Sequence, residues 1–324
     1  ESLGLDHRLG FAVIPAIDRL GNLGLLKHVT ALNLSSTKVG ALTPDLSRAI
    51  EASPSLVQLK LRDCAIGASG AGDVAGALVH CRRVVELDLA VNSLGDSGVV
   101  EMAVALRNLR KLTALDLGYN KFGPTGTQAL ADSLPQCVSI AQLNIEFNLL
   151  TSVGGGDLAM VIPKLPRLSI LNLNFNMVGD EGVIQIAQNL ASCVELTELY
   201  LGSNCITDAG AKSLGHALGQ QSGGCLELLD LKNNHIQALP LTLTKRDFCV
   251  LWSQPTLTRT TSESHAWSRG ATLLEEEDGV SDIENVLEES GDDDSDLESD
   301  MVRHFRQERS GRASPTSEPS GDLG

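Results

Sequence analysis

One frame of residues recurs eight times before residue 240, and no other feature restricts the fold so strongly. Leu112-Thr-Ala-Leu115-Asp-Leu117-Gly-Tyr119-Asn120-Lys-Phe122-Gly123 is one copy, and Leu168-Ser-Ile-Leu171-Asn-Leu173-Asn-Phe175-Asn176-Met-Val178-Gly179 is another. The copies open at Val29, Leu56, Val84, Leu112, Ile140, Leu168, Leu196 and Leu226, in steps of 27, 28, 28, 28, 28, 28 and 30 residues. Self-similarity at a fixed period of this size implies a solenoid, in which each repeat buries its apolar face only against its neighbours.

The second half of each repeat carries a different period. In Gly95 to Leu106, Val99, Met102, Ala103 and Leu106 fall at i, i+3, i+4 and i+7, the spacing of one helix face. In the first half, Leu115 and Leu117 alternate around Asp116. The leucines of a strand there point inward and Asp116 points to the opposite face. The recurring Asn (92, 120, 148, 176, 204 and 234) stands where the chain leaves the strand. Its amide is suited to bond backbone groups that the turn leaves unpaired. Thr37 and Cys64 take that place in the first two copies.

The L-x-x-L-x-L-x-x-N-x-L frame with a helical second half resembles the leucine-rich repeat, and its 28-residue period resembles the ribonuclease-inhibitor-like subclass. The resemblance covers roughly residues 1–240. It implies an α/β solenoid, a horseshoe with parallel strands on the concave face and helices on the convex face. The expected organisation is a partial or divergent N-terminal repeat over 1–28, eight leucine-rich repeats over 29–238, a C-terminal cap over 239–252, a linker over 253–270 and a disordered acidic tail over 271–324. Leu3, Leu5 and Leu9 read as a degenerate strand half and Phe11 to Leu20 as its helix, with Pro15 an awkward member. A fragment of a longer protein, the favoured reading, and a processed chain with a divergent cap both fit this opening.

Charge is unevenly spread. The chain carries a net charge of -16, yet residues 1–240 hold 22 acidic and 17 basic residues while 241–324 hold 19 and 8. Acidity without a basic stripe argues against nucleic-acid binding. No apolar run approaches ~18 residues, which argues against a membrane span. Between Glu275 and Asp300 there are 14 acidic residues and no basic one, a composition that predicts disorder. Within that run Val280, Ile283, Val286 and Leu287 have the spacing of one short amphipathic helix, although incidental apolar residues in a solvated tail are the more ordinary reading. Ser281, Ser290 and Ser295 each have an acidic residue three positions on, as acidophilic kinases favour, and Ser314-Pro315 resembles a proline-directed site, so the tail is a candidate kinase substrate.

Cys81, Cys137 and Cys193 share one repeat position and are 56 residues apart. Equivalent atoms two repeats apart lie roughly 10–20 Å from one another, beyond the ~7 Å reach of a disulfide. Buried, reduced thiols and an intracellular, cytoplasmic setting are therefore expected. No Cys/His cluster has zinc spacing, no cofactor motif is present, and no catalytic constellation appears. Gly154-Gly155-Gly156 reads as a turn.

These features point to a non-enzymatic protein–protein interaction scaffold that binds a protein partner on the concave face, with a regulatory acidic tail. The alternative is a GTPase-activating protein of the Ran regulator type, which shares the layout of repeats followed by an acidic region. The frame places Tyr119, Phe147 and Phe175 on consecutive rungs just before the Asn position, with Tyr200 nearby. Glu146 and Asn174 stand beside them on the same side of the sheet. Aromatic residues are favoured interface anchors, so these six form the candidate partner-binding site. Rings that merely stack and cover the core are the competing reading.

Overall fold

Each strand is only three residues long, because the frame changes direction as soon as its two inward leucines are placed. A computed structural model describes residues 2–4, 10–220, 225–244 and 248–253. Residues Glu1–Leu274 make one unit and Glu275–Gly324 a second. The linker, the acidic tail with its amphipathic segment, and the four candidate phosphorylation serines lie outside the described residues, apart from Ser253 at the linker's start.

The strands are β1 Ser2–Gly4, β2 Ala31–Asn33, β3 Gln58–Lys60, β4 Glu86–Asp88, β5 Ala114–Asp116, β6 Gln142–Asn144, β7 Ile170–Asn172, β8 Glu198–Tyr200, β9 Leu228–Asp230 and β10 Cys249–Leu251. They form one sheet in sequence order, every pair parallel. The register repeats without slip, so Leu59, Leu87, Leu115, Leu143, Leu171 and Leu199 are mutual neighbours. Parallel neighbours need a crossover, and helices supply it. These are α1 Gly10–Asn22, α2 Thr43–Glu51, α3 Gly67–Leu78, α4 Gly95–Leu106, α5 Pro124–Ser133, α6 Ser152–Val161, α7 Gly179–Leu190, α8 Asp208–Gln220 and the short α9 Leu241–Thr244. The result is a leucine-rich repeat solenoid, with a strand layer, a helix layer and a continuous core between them.

The core follows the two sequence periods. Leu115, Leu117, Leu143, Ile145, Leu171 and Leu173 are all buried, as are Val99, Met102, Ala103 and Leu106 of α4. Pro15 sits inside α1 without ending it. Gly154, Gly155 and Gly156 do not form a turn. They are buried in the first half of α6, where a Cβ on Gly155 would stand 2.7 Å from Val178 Cγ1 and 3.1 Å from Gly182 Cα. Gly155 and Gly156 let α6 approach α7 closely, and Gly154 lies against Thr127 of α5, a packing requirement that is independent of a turn's need for left-handed backbone.

The Asn column holds successive repeats together. Asn120 is fully buried. Its Nδ2 donates to the carbonyls of Leu89 at 3.0 Å, Leu117 at 3.0 Å and Gly118 at 3.2 Å, and its Oδ1 accepts from Asn92 N at 3.1 Å and Leu94 N at 3.4 Å. Asn148 repeats the pattern one rung on. Each amide thus satisfies backbone groups of its own turn and of the preceding repeat. Where the column has Cys64, the thiol donates to Leu34 O at 3.1 Å in the amide's place. Burial pushes that thiol up to about 12, so it keeps its proton.

A second inter-repeat device escapes the frame. Asp96, at the start of α4, accepts from Gly123 N at 2.7 Å and Gly126 N at 2.8 Å, capping α5 from the neighbouring repeat. Asp180 does the same for Thr207 N and Gly210 N at the start of α8. The carboxylate satisfies otherwise orphaned N–H donors and faces the positive end of the next helix.

Candidate functional site

Eight residues immediately precede the Asn position, one per repeat, and all eight have left-handed backbone. They are Ser36, Asp63, Val91, Tyr119, Phe147, Phe175, Ser203 and Asn233, with φ between 49° and 60°. The frame demands this conformation, because the chain must reverse out of the strand in one residue. Asn suits it, as at Asn233, whereas bulky and β-branched side chains do not. Three consecutive repeats nevertheless carry aromatic rings there.

Those rings form a ladder. The Tyr119 and Phe147 centroids are 4.0 Å apart with planes 17° apart, and Phe147 and Phe175 are 3.9 Å and 16°. All three side chains are partly exposed. Stacking gives each ring a neighbour worth about 0.5–1.5 kcal/mol, similar to the ~1–2 kcal/mol cost of a left-handed residue. The fold therefore gains little from aromatics at this position compared with Asn.

Tyr200 stands apart from the ladder. It belongs to β8 and faces out beside Asn172 and Asp230 of the flanking strands. Its phenol donates to Glu198 Oε2 at 2.6 Å. Burial, then that hydrogen bond, pushes the phenol up to about 12, so it remains a neutral donor. With Asp88, Asp116, Asn144 and Asn172 it lines a shallow trough of about 430 Å³ along the strand face. Glu146 and Asn174 are engaged in this polar surface. Glu146 Oε2 accepts from Asn172 Nδ2 at 2.8 Å and its Oε1 from Asn144 Nδ2 at 3.4 Å. Asn174 Oδ1 accepts from Gly202 N at 2.6 Å, and its Nδ2 donates to Asp230 Oδ2 at 3.4 Å. The six candidate residues thus resolve into a three-ring ladder at the strand ends and a hydrogen-bonded polar face beside it.

The frame puts Lys60, Asp88, Asp116 and Asp230 on that face, but the ion pairs there follow only from the structure. Lys60 Nζ lies 2.7 Å from Glu86 Oε1, and Arg62 Nη1 lies 3.5 Å from Asp116 Oδ2. Asp88 is held above the ordinary carboxylate range, first by burial and then by the like charge of Asp116, against the opposing Ala90 N–H bond and the nearby Arg62 and Lys60. An acid whose folded pKa is raised loses stability as pH climbs from its unfolded value through the folded one. Asp88→Asn is accordingly expected to raise the thermal midpoint at pH 7, by about 0.2–1 kcal/mol in stability, in keeping with relief of a cross-strand like-charge pair. The gain should vanish below the unfolded carboxylate value, near pH ~3.9. Thermal melts of both proteins at pH 7 and pH 3 check this, and a gain that persists at the lower pH contradicts it.

Among the described residues, no group of three or more His, Cys, Asp and Glu is arranged to hold a metal ion, and no helix is long and apolar enough to cross a membrane. Cys81 and Cys137 are buried and Cys193 is half-buried, all as free thiols. The Cys137 thiol meets Leu106 O at 3.2 Å.

The repeat architecture and its Asn column define a leucine-rich repeat fold. Five segments, 52–75, 80–103, 108–131, 165–187 and 192–215, match the Leucine Rich repeat family profile. No curated protein matches the chain in sequence. Among solved structures it is similar to the functional domain of InlJ from Listeria monocytogenes, described as including a cysteine ladder. That match has 18% identity and a TM-score of 0.43, and covers 72% of this chain but 40% of the other. It is also similar to an internalin, inlF, from Listeria monocytogenes str. 4b F2365. That match has 19% identity and a TM-score of 0.34, and covers 74% of this chain and 77% of the other.

Proposed function

We propose that the array is a non-enzymatic scaffold that binds a protein partner on its strand face, with Tyr119, Phe147 and Phe175 at the centre. Glu146, Asn174 and Tyr200 supply the polar surroundings. One observation carries this reading: three partly exposed rings occupy consecutive left-handed positions where Asn would serve the fold equally well. Residues that the fold does not require at positions it strains are expected at binding surfaces.

In the same reading the repeats are of the ribonuclease-inhibitor-like type, supported by the 28-residue step and by full helices such as α4 and α7. Residues 239–252 cap the array, supported by the burial of Leu243 and the pairing of β10 on β9. Segment 271–324 is given a regulatory role on its charge alone. The test removes the rings without stressing the backbone: capture of interacting proteins by the full chain is compared with capture by Phe147→Asn/Phe175→Asn. Loss of a saturable interactor at an unchanged thermal midpoint is the expected result, and retention of every interactor overturns the reading.

A further inference from the structure

The outward positions of the sheet carry more negative charge than the fold requires. Asn33, Asn144 and Asn172 each accept the N–H two residues ahead, at 3.0 to 3.1 Å. Asp88, Asp116 and Asp230 occupy the same frame position and make the same bond, at 2.9 to 3.0 Å. An amide oxygen therefore does the local work as well as a carboxylate, and the three negative charges are surplus to the turn.

Nor is that charge balanced on the face. Lys60 and Arg62 meet Glu86 and Asp116 at one end. From β4 to β8 the outward positions of the strands, together with Ala90, Gly118, Glu146, Asn174 and Gly202, include no Lys or Arg, and at β9 the same column ends in Lys232 beside Asp230. Glu146 and Glu198 have no cation at those positions, and Asp88 shares Lys60 and Arg62 with Glu86 and Asp116, so six carboxylates on the face meet three cations. Glu146 and Glu198 are instead oriented by neutral donors, the Asn144 and Asn172 amides and the Tyr200 phenol. Such donors fix a carboxylate's direction without cancelling its charge. The apolar ladder lies along the edge of this surface.

We propose, building on the docking reading above, that the partner presents a cationic segment: an extended Lys- or Arg-bearing stretch whose cations enter the trough at Asp88 and Glu198, on either side of the Asn144 and Asn172 rungs, while apolar side chains rest on Phe147 and Phe175. Charge complementarity selects this occupant. An anionic segment would meet excess carboxylates, and like charges brought together at an interface oppose binding. Five strand spacings of ~4.8 Å separate β4 from β9, a span of about 24 Å, which roughly seven extended residues cover. Alternation along such a segment puts cations on one side and apolar groups on the other, matching the two-part surface.

The test uses the full chain and two nine-residue fluorescent peptides, one alternating Lys and Leu, the other Glu and Leu. Binding anisotropy is measured for wild type, for the face variant Asp88→Asn/Asp116→Asn/Glu198→Gln, and for a helix-side control, Glu101→Gln/Asp132→Asn/Glu181→Gln, with the same change in net charge. Thermal midpoints verify that each protein is folded. The Lys peptide should bind wild type, weaken as salt is raised, lose at least about tenfold in Kd on the face variant, and lose less than about twofold on the control. Equal losses on the two variants would mean that net charge alone attracts the peptide, and would overturn the proposal. So would tighter binding of the Glu peptide, or no binding of the Lys peptide. Loss of the Lys peptide on Phe147→Asn/Phe175→Asn without loss on the face variant overturns the cationic assignment and leaves the docking reading standing. Loss on the face variant alone supports the cationic assignment and removes the ladder from the docking site.

Discussion

Replacing Asn120 with alanine is expected to lower stability by about 3–5 kcal/mol, at the upper end for a single substitution. The side chain is fully buried and makes three donor and two acceptor contacts, all to backbone. Alanine leaves the Asn92 and Leu94 N–H groups without their acceptor in a space closed to solvent, while the three carbonyls keep a second donor each, Asn92 Nδ2 on Leu89, Asn148 Nδ2 on Leu117 and Val91 N on Gly118. Each unsatisfied buried group costs roughly 1–3 kcal/mol, so two orphaned N–H groups together with the three lost amide bonds give an effect of this size. At roughly 2–4 °C per kcal/mol for a unit of this size, the midpoint should fall by about 6–20 °C. Asn120→Asp keeps the shape and the acceptor but turns the donating face into a charge aimed at three carbonyls. It should be at least as damaging at pH 7, and less so where the carboxyl is protonated. Circular dichroism melts check both. A fall of less than about 1 kcal/mol would show that the amide column is not what joins neighbouring repeats.

The ring ladder should give the largest effect on binding. A truncated aromatic anchor commonly costs ~2 kcal/mol or more, so losing Phe147 and Phe175 together should weaken a partner about a thousandfold. The choice of replacement decides whether the result can be read. Alanine would remove the rings yet leave φ at 49° and 54° on residues ill suited to it. Asparagine tolerates that backbone, as Asn233 does at φ 56°. Lost stacking of about 0.5–1.5 kcal/mol per ring contact is then offset by relief of left-handed strain of similar size, and the midpoint should move little. Calorimetric titration with an isolated interactor, paired with a melt of the same sample, separates binding from folding. Unchanged affinity would move the site off the ladder, to the helices or to segment 271–324.

Much of this molecule is legible without coordinates, and the reason is periodicity. Leu115 and Leu117 announce a strand and its inward face, and Val99, Met102, Ala103 and Leu106 announce a helix and its buried stripe. Repetition at a fixed step forces equivalent residues into register, so the stacking of Tyr119, Phe147 and Phe175 follows once the frame is aligned. The Asn column was readable because a polar residue fixed at one turn has backbone groups to satisfy.

What escaped the sequence depends on neighbours that only the folded solenoid supplies. Nothing in the side chains of Val91, Tyr119 or Phe147 announces a left-handed backbone, which tertiary geometry imposes over residue preference. Gly154–Gly156 resembled a turn because glycine signals both a special φ and a close approach, and only the packed α6 and α7 distinguish them. Asp96 and Asp180 accept from N–H groups 27 and 30 residues later, contacts set by the stacking of one repeat on the next. Tyr200 could be placed near the ladder by register but not on it, because its phenol is held by Glu198. The excess charge of the strand face emerges only when residues from many repeats are summed over one surface. The sequence by itself determined the repeat, its two faces and its core, because those follow from local alternation. Tertiary structure alone decided backbone strain, cross-repeat capping and which carboxylates of the strand face have a cation beside them, because these are properties shared among residues far apart in the chain.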